Sequence, residues 1–481
     1  MTQRGVISGW QRLAAVLGAA LLLTGASQCS FGGHDFGPGS AADTHQSTSA
    51  PISTFGSILA ATTEFATASA TITLDGTAVD ESKLRPGQVV TLSGTVVSGG
   101  LAGTASAASV TDKLIGPVSA IDPGAGSFTV LGQTVYATGD TSVGPGFTVP
   151  DVAGFTVGTV LVIDGYRTST GLVASRIDLP LAGQVLQVAG SVSGLDGFTH
   201  QFSINGSTID YGNASAGLPA LVTNGSYVIA SGGSTTNSTT LQAARVTATT
   251  ESPAGASGDN GVVHGAVTRF RSNIDFDVAG QTVSTGSGTT FTHGTLADVM
   301  LDREVEVAGT YSSSGVLAAN SIDVTPAAIF RVVGPVASLG ASGAMLVIDG
   351  ITVSTGRATR WDDQRGQGIK AFGLSSLTTG DWVEVRGLPG TGTAATARVV
   401  ERRVAPSPAF VELQDVPTAI SAPTFTLTGV AVDARTATFA DASGQPLSQS
   451  SFFSQAAGQV VRVRGAFIAG TLTAASVALR P

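Results

Sequence analysis

Six segments of the chain alternate apolar residues with variable ones and end in glycine. In each, the positions four and two before the glycine are apolar, and the residue between them varies, as Thr91, Glu306, Glu384 and Arg462 illustrate. A period of two is typical of a strand that buries one face and leaves the other free to vary. The pattern predicts six such strands: QVVTLSG to Gly94, TVLVIDG to Gly165, SYVIASG to Gly232, REVEVAG to Gly309, DWVEVRG to Gly387 and QVVRVRG to Gly465.

Two further motifs precede each of these strands, so the chain is repetitive. One is typified by Gly116-Pro117-Val118 and the other by Gly132-Gln133-Thr134-Val135. Glycines that open the second motif follow one another at intervals of 56, 74, 74, 70 and 79 residues. We therefore expect six units, which span 55–112, 113–180, 185–250, 261–326, 329–404 and 409–481.

Each unit contains enough alternating segments for five or six short strands, with glycine at the bends. Many short strands joined by glycine-containing turns indicate an all-β fold, and this number of strands suits a small closed or nearly closed barrel. A six-bladed propeller is the alternative. Propeller blades usually have four strands in about 40–50 residues, so the longer units favour six tandem barrels.

The order of the motifs resembles a bacterial repeat known as domain of unknown function 5666. The resemblance covers all six units, and Gly87, Gly158, Gly225, Gly380 and Gly458 match a turn of that family, where the fourth unit has Asp302 instead. It implies exported, β-rich proteins, often lipid-anchored, with barrels similar to the OB-fold. It implies no catalytic residue.

The N-terminus has the pattern of an export signal. Arg4 and Arg12 precede the apolar run LAAVLGAALLLT, whose 12 residues fall short of the roughly 20 that a spanning helix needs. We therefore expect residues 1–28 to be a signal peptide. Cys29 follows at the place where a bacterial lipoprotein is acylated, and the segment resembles such a signal except that Gln28 stands before the cysteine.

Acylation of Cys29 would tether the protein to the cell envelope, and Ser30 after it implies the outer membrane. Ordinary cleavage near Ser27, which would leave a soluble periplasmic or secreted protein, is the alternative. Residues 29–54 are rich in Gly, Ser, Thr and Ala without a period, so we expect a flexible tether.

Charged residues make up only 12% of the chain, with 24 basic and 33 acidic residues. A protein with so few cations is a poor candidate for binding nucleic acid, which requires a basic surface. A single cysteine excludes internal disulfides and zinc sites built of cysteines.

Motifs for chemistry are scarce. The sequence has no nucleophile elbow, P-loop or zinc-protease motif, and we expect no cofactor and no metal. His200, His264 and His293 lie in different segments, which favours isolated histidines over a site. Asp362 and Asp363 are adjacent in a variable stretch and are interpreted as a solvated loop.

The fifth unit differs from the others because it contains both tryptophans of the body of the chain, Trp361 and Trp382, close to Arg360 and Arg365. Exposed tryptophan beside arginine can bind sugar rings or acidic partners, so these four residues form a candidate ligand site. The alternative is that Trp382 packs between barrels or under a loop.

These observations favour a non-catalytic envelope protein whose barrels act as a binding or structural module. Its expected partners are the membrane, through lipid on Cys29, and an envelope protein or glycan. A glycan- or polymer-binding protein of the surface or periplasm is the alternative, and an enzyme is the least favoured class because no catalytic arrangement is visible.

Overall fold

The computed structural model of the protein describes residues 43–97, 99–214, 217–251, 255–340, 344–365 and 371–480. These residues form 41 strands, three short 3-10 helices and one α-helix. The predicted signal peptide, Cys29 and the first part of the predicted tether lie outside the described residues. None of the described helices is long and apolar enough to cross a membrane.

The first half of the described chain forms three barrels. Barrel 1 contains β1 Thr44–Thr54, β2 Ile58–Ala60, β3 Thr63–Ala66, β4 Thr71–Leu74, β5 Thr77–Ala78, a 3-10 helix Glu81–Lys83, β6 Val89–Val96 and β7 Ala102–Val110. Barrel 2 contains β8 Leu114–Asp122, β9 Ser127–Val130, β10 Gln133–Tyr136, β11 Ser142–Val143, β12 Val160–Arg167 and β13 Leu172–Asp178. Barrel 3 contains β14 Leu186–Ser191, β15 Ser193–Asp196, β16 Gln201–Ile204, β17 Ser207–Asp210, β18 Tyr227–Gly232, β19 Ser234–Asn237, β20 Thr240–Gln242 and β21 Arg245–Ala248.

The second half forms three more. Barrel 4 contains β22 Asn260–Ser272, β23 Asp275–Val278, β24 Gln281–Ser284, β25 Thr290–Thr292, a 3-10 helix Leu296–Asp298, β26 Glu304–Tyr311 and β27 Leu317–Val324. Barrel 5 contains β28 Phe330–Leu339, β29 Met345–Ile348, β30 Ile351–Ser354, β31 Arg360–Asp363, a 3-10 helix Leu374–Ser376, β32 Trp382–Pro389 and β33 Ala394–Arg403. Barrel 6 contains β34 Val411–Asp415, β35 Thr418–Ser421, β36 Thr424–Leu427, β37 Val430–Asp433, β38 Thr438–Ala440, β39 Pro446–Leu447, α1 Gln449–Gln455, β40 Val460–Ile468 and β41 Thr471–Arg480.

The same strand order closes every barrel. In barrel 2, β8 pairs with β9, β9 with β10, β10 in parallel with β13, β13 with β12, and β12 returns to β8. The other barrels repeat this ring, although some of its strands are interrupted in barrels 3 and 6. A ring of five strands in this order is the OB-like barrel that the sequence predicts. The prediction of six tandem barrels is therefore confirmed, and the propeller alternative is not.

The apolar positions of the six motif strands all face barrel interiors. Every one of these twelve side chains is fully buried, which confirms the assignment of the apolar face: Val90, Leu92, Leu161, Ile163, Val228, Ala230, Val305, Val307, Val383, Val385, Val461 and Val463.

Steric conflict with the partner strand explains why each motif strand ends in glycine. At five of the six positions the strand register shifts by a β-bulge, and in barrel 3 the strand β18 ends there. A Cβ added to Gly309 would overlap the carbonyl oxygen of Ala318 on the partner strand, and the other five glycines have the same conflict with a backbone carbonyl. A bulge bends and twists a strand strongly, so glycine is required where the ladder coils to close a small barrel.

The first strand of each barrel pairs with the first strand of another, and this pairing joins the barrels two by two. β1 lies parallel to β22 and joins barrels 1 and 4, β8 pairs with β14 and joins barrels 2 and 3, and β28 pairs with β34 and joins barrels 5 and 6. Barrels 2 and 3 share one apolar core and barrels 5 and 6 share another. All six barrels belong to one compact unit.

Strand β1 corrects the predicted tether. Residues Thr44–Thr54 pair with β6 along most of their length and with β22 at Gln46 to Ser49. Thr48 and Gln46 are buried, and the Gln46 side-chain amide donates to the Thr48 hydroxyl at 2.8 Å. The prediction of a flexible segment up to Thr54 is therefore wrong for these residues, because polar side chains that bond one another are buried here beside the apolar Ala50 and Ile52.

Candidate functional site

The structure does not bring the four predicted ligand-site residues to one exposed surface. Trp361 is 6% exposed and packs edge-on against Phe372, with 6.0 Å between ring centroids, in the core of barrels 5 and 6. Arg360 is also buried, and its Nη2 lies 3.6 Å from Asp140 Oδ1 of barrel 2. The prediction of a surface stacking site is therefore wrong for these two residues.

Trp382 and Arg365 have other surroundings. Trp382 is half-buried on β32, between β28 and β33, and its indole N–H is buried without an acceptor among the described residues. Arg365 is paired with Asp363 and with Asp381, each at 3.3 Å. A guanidinium with two carboxylate partners is poorly placed to recruit an acidic ligand.

The adjacent carboxylates Asp362 and Asp363 lie on strand β31, so their interpretation as a solvated loop is wrong. Asp362 accepts a hydrogen bond at 2.9 Å from Arg176 Nη1 of barrel 2. Asp363 forms an ion pair with Arg402 at 2.5 Å. Successive side chains of a strand point to opposite faces. Asp362 therefore faces barrel 2, whereas Asp363 faces its own barrel 5.

The variable face of the motif strands is where barrels meet. Glu384 on this face is 1% exposed, and its carboxylate lies 2.9 Å from Arg331 Nε, 3.1 Å from Arg403 Nε and 3.2 Å from Arg386 Nε. Burial alone would raise the pKa of Glu384, but these three guanidinium groups outweigh burial and hold the pKa far below its usual range. Glu384 is therefore an anion at the centre of a buried cluster of cations.

This cluster joins barrels 5 and 6 to barrel 2. Arg386 forms an ion pair at 2.6 Å with Glu401, whose carboxylate also accepts the backbone N–H of Val143 in barrel 2 at 3.3 Å. Arg462 of barrel 6 pairs with Asp151 of barrel 2. Most of the arginines in these barrels therefore act between barrels, and the sequence alone could not reveal this because the partners are up to 311 residues apart.

A second buried charge group lies in barrel 4. His264 Nε2 is 2.7 Å from Glu304 Oε1, and its Nδ1 is 3.4 Å from Glu306 Oε2. Burial alone would lower the pKa of His264, but the hydrogen bonds to the two carboxylates raise the pKa to about 9. The imidazole is consequently a cation near neutral pH and has a structural partner on each side.

A polar site lies where barrels 1, 2 and 3 meet. It is a cavity of about 330 Å³, within the range of about 300–1,000 Å³ that small-molecule sites have. The charged and amide side chains that line it are Asp75, Lys113, Arg167, Gln187, Arg245 and Glu251. Hydroxyl-bearing side chains also line it, among them Thr73, Thr91, Ser109, Thr111, Ser231 and Thr247. We call it the junction cavity.

Lys113 is the buried cation of the junction cavity. Its Nζ donates to the hydroxyl of Tyr227 at 3.0 Å and lies 3.6 Å from Glu251 Oε1. Burial alone would lower the pKa of Lys113, but Tyr227 and Glu251 outweigh burial and raise the pKa above its ordinary value. The amine is therefore charged and paired, not a free base.

The half-buried Asp75 lines the junction cavity, and the buried carboxyl groups of Asp112 and Asp164 lie beside it. Asp75 and Asp112 are hydrogen-bonded to each other, and side-chain amides hold both: Gln187 Nε2 donates to Asp75 at 2.7 Å and Gln184 Nε2 donates to Asp112 at 2.8 Å. Burial raises the pKa of Asp112 well above its usual range, and Asp75 raises it further. Burial also raises the pKa of the neighbouring Asp164 to about 7.

Four segments of the chain match the family described as Domain of unknown function (DUF5666), at residues 115–178, 264–323, 333–401 and 418–478, which together make up more than half of the sequence. The chain belongs to the DUF5666 family. The four matched segments are barrels 2, 4, 5 and 6. None of the curated proteins matches this sequence.

Barrels 1 and 3 close by the same strand order as the four DUF5666 matches, so the fold repeats more often than the family match does. The structure also explains the one departure from the family's turn glycine. Gly158 has a φ of 92° and the equivalent Asp302 a φ of 67°. The Asp302 carboxylate accepts the backbone N–H of Ser169 in barrel 2 at 2.6 Å, so here the side chain joins two barrels.

No group of three His, Cys, Asp or Glu residues in the described parts of this DUF5666 protein is arranged to hold a metal ion. The junction cavity presents hydrogen-bond donors and acceptors from its charged, amide and hydroxyl side chains. Its chemistry suits recognition of a polar solute.

The three carboxyl groups predict a pH-dependent stability. A carboxyl whose pKa is raised in the folded state keeps its proton after the unfolded chain has lost it, so stability falls as pH rises from about 4 toward 7. Between about pH 4 and pH 7, we expect the free energy of unfolding to decrease less in Asp112→Asn than in the wild type. The difference should exceed about 1 kcal/mol. Urea unfolding at several pH values measures it.

The control for Asp112→Asn is Asp122→Asn at the exposed end of strand β8. We expect the control to leave the slope of stability against pH unchanged. If Asp112→Asn unfolds with the wild-type slope between pH 4 and pH 7, the buried carboxyl group does not hold the proton.

Proposed function

We propose that this DUF5666 protein is an exported, lipid-anchored envelope protein that acts as a non-catalytic binding module. The proposed ligand is a small hydroxyl-rich molecule, such as a monosaccharide, and the proposed site is the junction cavity. The observation that carries the proposal is the convergence on one cavity of Asp75 from barrel 1, Gln187 from barrel 3, and Lys113 and Glu251 from the segments that connect barrels.

The lining of the junction cavity supports a ligand that both donates and accepts hydrogen bonds. Charged and amide side chains that are already oriented by partners, as Gln187 is by Asp75, form directional bonds at little cost in entropy. The surrounding threonine and serine hydroxyls can act as donor or acceptor. A sugar, in which each hydroxyl does both, matches this surface better than an apolar or a highly charged ligand.

The state of the ionisable groups supports a non-catalytic role. Lys113 is paired with Tyr227 and Glu251, while Asp75 and Asp112 are held by each other and by glutamine amides. A general base or nucleophile needs a reactive atom directed at the substrate, and here these atoms serve contacts within the protein.

The carbohydrate hypothesis now rests on different residues from those that the sequence pattern predicts. Trp361 is buried and is not available for stacking. The junction cavity replaces it as the reason to expect a sugar ligand.

Filling the junction cavity is expected to abolish sugar binding. Ser231 lines the cavity, so Ser231→Trp should weaken binding at least about tenfold, since one lost set of hydrogen bonds amounts to about 1.4 kcal/mol or more. Calorimetric titration with a panel of neutral monosaccharides measures it.

Ser238→Trp places the same side chain on an exposed turn of barrel 3 and should leave binding unchanged. Absence of binding to every sugar in the panel, or equal binding by the wild type and Ser231→Trp, would refute the proposed site.

Anchoring is tested separately at Cys29. We expect Cys29→Ser to move the protein from the membrane fraction to the soluble fraction, because a thioether-linked lipid can no longer form. Ser40→Ala in the same segment is the control and should remain with the membrane. Mass spectrometry of the mature N-terminus gives the direct result, and an unmodified Cys29 thiol would contradict the lipid anchor.

A further inference from the structure

A second and larger space lies where barrels 2, 4 and 6 meet, away from the junction cavity. This cleft has a volume of about 570 Å³ and is bounded by the turn before β26, by the segment between barrels 4 and 5, and by residues of barrels 2 and 6. Much of its wall is apolar: Tyr136, Pro150, Met300, Leu301, Ile329 and Val460. We call it the lower cleft.

The turn at one edge of the lower cleft exposes two large apolar side chains. Met300 is 48% exposed and Leu301 46% exposed, and the turn is closed by a hydrogen bond from the Arg303 backbone N–H to the Met300 carbonyl at 3.0 Å. Side chains of this kind are costly to leave in water. Their placement gives the wall of the cleft an apolar surface that the hydrocarbon part of a ligand could contact.

The charges of the lower cleft are unequally satisfied. Its three acids have partners: Asp140 pairs with Arg398 at 3.0 Å, Asp302 accepts from Ser169, and Glu304 binds His264 at 2.7 Å. Arg303 also lines the cleft and is half-buried. Within the described ranges no carboxylate lies within ion-pair distance of its guanidinium, and the nearby Asp298 is held by Thr295 at 2.8 Å.

We propose that the lower cleft binds a medium-chain monocarboxylate, with the apolar chain against Met300 and Leu301 and the carboxylate on Arg303. A planar guanidinium binds a carboxylate through two parallel hydrogen bonds, and a partly dry wall strengthens that interaction. The acids of the cleft do not compete for Arg303 because their own partners occupy them. The site is distinct from the junction cavity, so it goes beyond the proposed sugar binding.

A photoreactive decanoate tests the site on the purified full chain. After irradiation and digestion, mass spectrometry is expected to find the label on the peptide that contains Met300 and Leu301. Arg303→Gln should reduce this labelling at least about tenfold, because a charge-assisted pair is lost. The matching photoreactive decanol, which has no charge, should label wild type and Arg303→Gln equally and weakly.

Arg271→Gln is the matched control, because Arg271 is an exposed arginine of the same barrel. It should leave labelling by decanoate unchanged. Leu301→Glu is a second variant that keeps Arg303 but places an acid on the cleft wall, and it should also abolish labelling. Labelling elsewhere on the chain, equal labelling by decanol and decanoate, or labelling insensitive to Arg303→Gln overturns the proposal.

Discussion

Replacing Gly309 with alanine is expected to unfold barrel 4. The added methyl group would overlap the backbone carbonyl of Ala318 at the β-bulge between β26 and β27, and a backbone atom held in a closed ring cannot move away. We expect a loss of about 3 kcal/mol or more in the free energy of unfolding, since steric overlap in a packed interior is among the few causes of losses this large. Urea denaturation followed by circular dichroism measures it.

Gly286→Ala is the matched control in the same barrel. A Cβ at Gly286 meets nothing within 4 Å, and its φ is not in the left-handed region. Alanine there also restricts the unfolded chain, so the variant should be as stable as wild type or slightly more so. Equal destabilisation by both substitutions would show that the bulge does not require glycine.

Replacing Glu384 with glutamine is expected to loosen barrels 5 and 6 from barrel 2. Glutamine has nearly the same shape but no charge, so Arg331, Arg386 and Arg403 would remain buried around a neutral group. Removing one partner of a buried ion pair typically costs about 3–5 kcal/mol because the remaining charges lose their compensation. Thermal and urea unfolding measure the loss.

The control for Glu384→Gln is Asp433→Asn, which removes the acid of a surface pair in barrel 6. Arg435 in that pair is 71% exposed, and exposed pairs contribute at most about 1 kcal/mol. If Glu384→Gln is no more destabilising than Asp433→Asn, the buried cluster does not stabilise the assembly.

The fold could be predicted from the sequence because its cause is local. An apolar residue at every second position determines which face is buried, and the glycine at the bulge marks the point where each strand coils, as at Gly309 and Gly387. Both signals lie within seven residues of sequence and recur six times. The barrel topology then follows from the number and order of strands.

Strand β1 has the composition of a linker because polar side chains are buried there beside the apolar Ala50 and Ile52. The Gln46 side-chain amide donates to the hydroxyl groups of Thr48 and Thr63 inside the barrel. Composition indicates order when apolar burial is the main source of stability, and here paired polar groups add to a small apolar contribution.

The candidate sites could not be predicted because their residues come together only when barrels pack. Arg176 and Asp362 are 186 residues apart and belong to different barrels, as do the residues of the junction cavity. The sequence pattern predicts that Trp361 and Arg360 are surface residues of a variable stretch, whereas β31 places them in a core and against barrel 2.

We infer that buried charges between barrels hold the barrels together as one scaffold and thereby position the cavities at the junctions. Hydrogen exchange of the Val143 amide tests it most directly, because this N–H of barrel 2 donates to the Glu401 carboxylate of barrel 5 at 3.3 Å. The neighbouring Gly144 amide donates within barrel 2 to Ile177 at 2.9 Å and is the internal control. We predict that Val143 exchanges slowly in the wild type and rapidly in Glu401→Ala, while Gly144 stays protected in both. Rapid exchange of Val143 in the wild type would contradict the account.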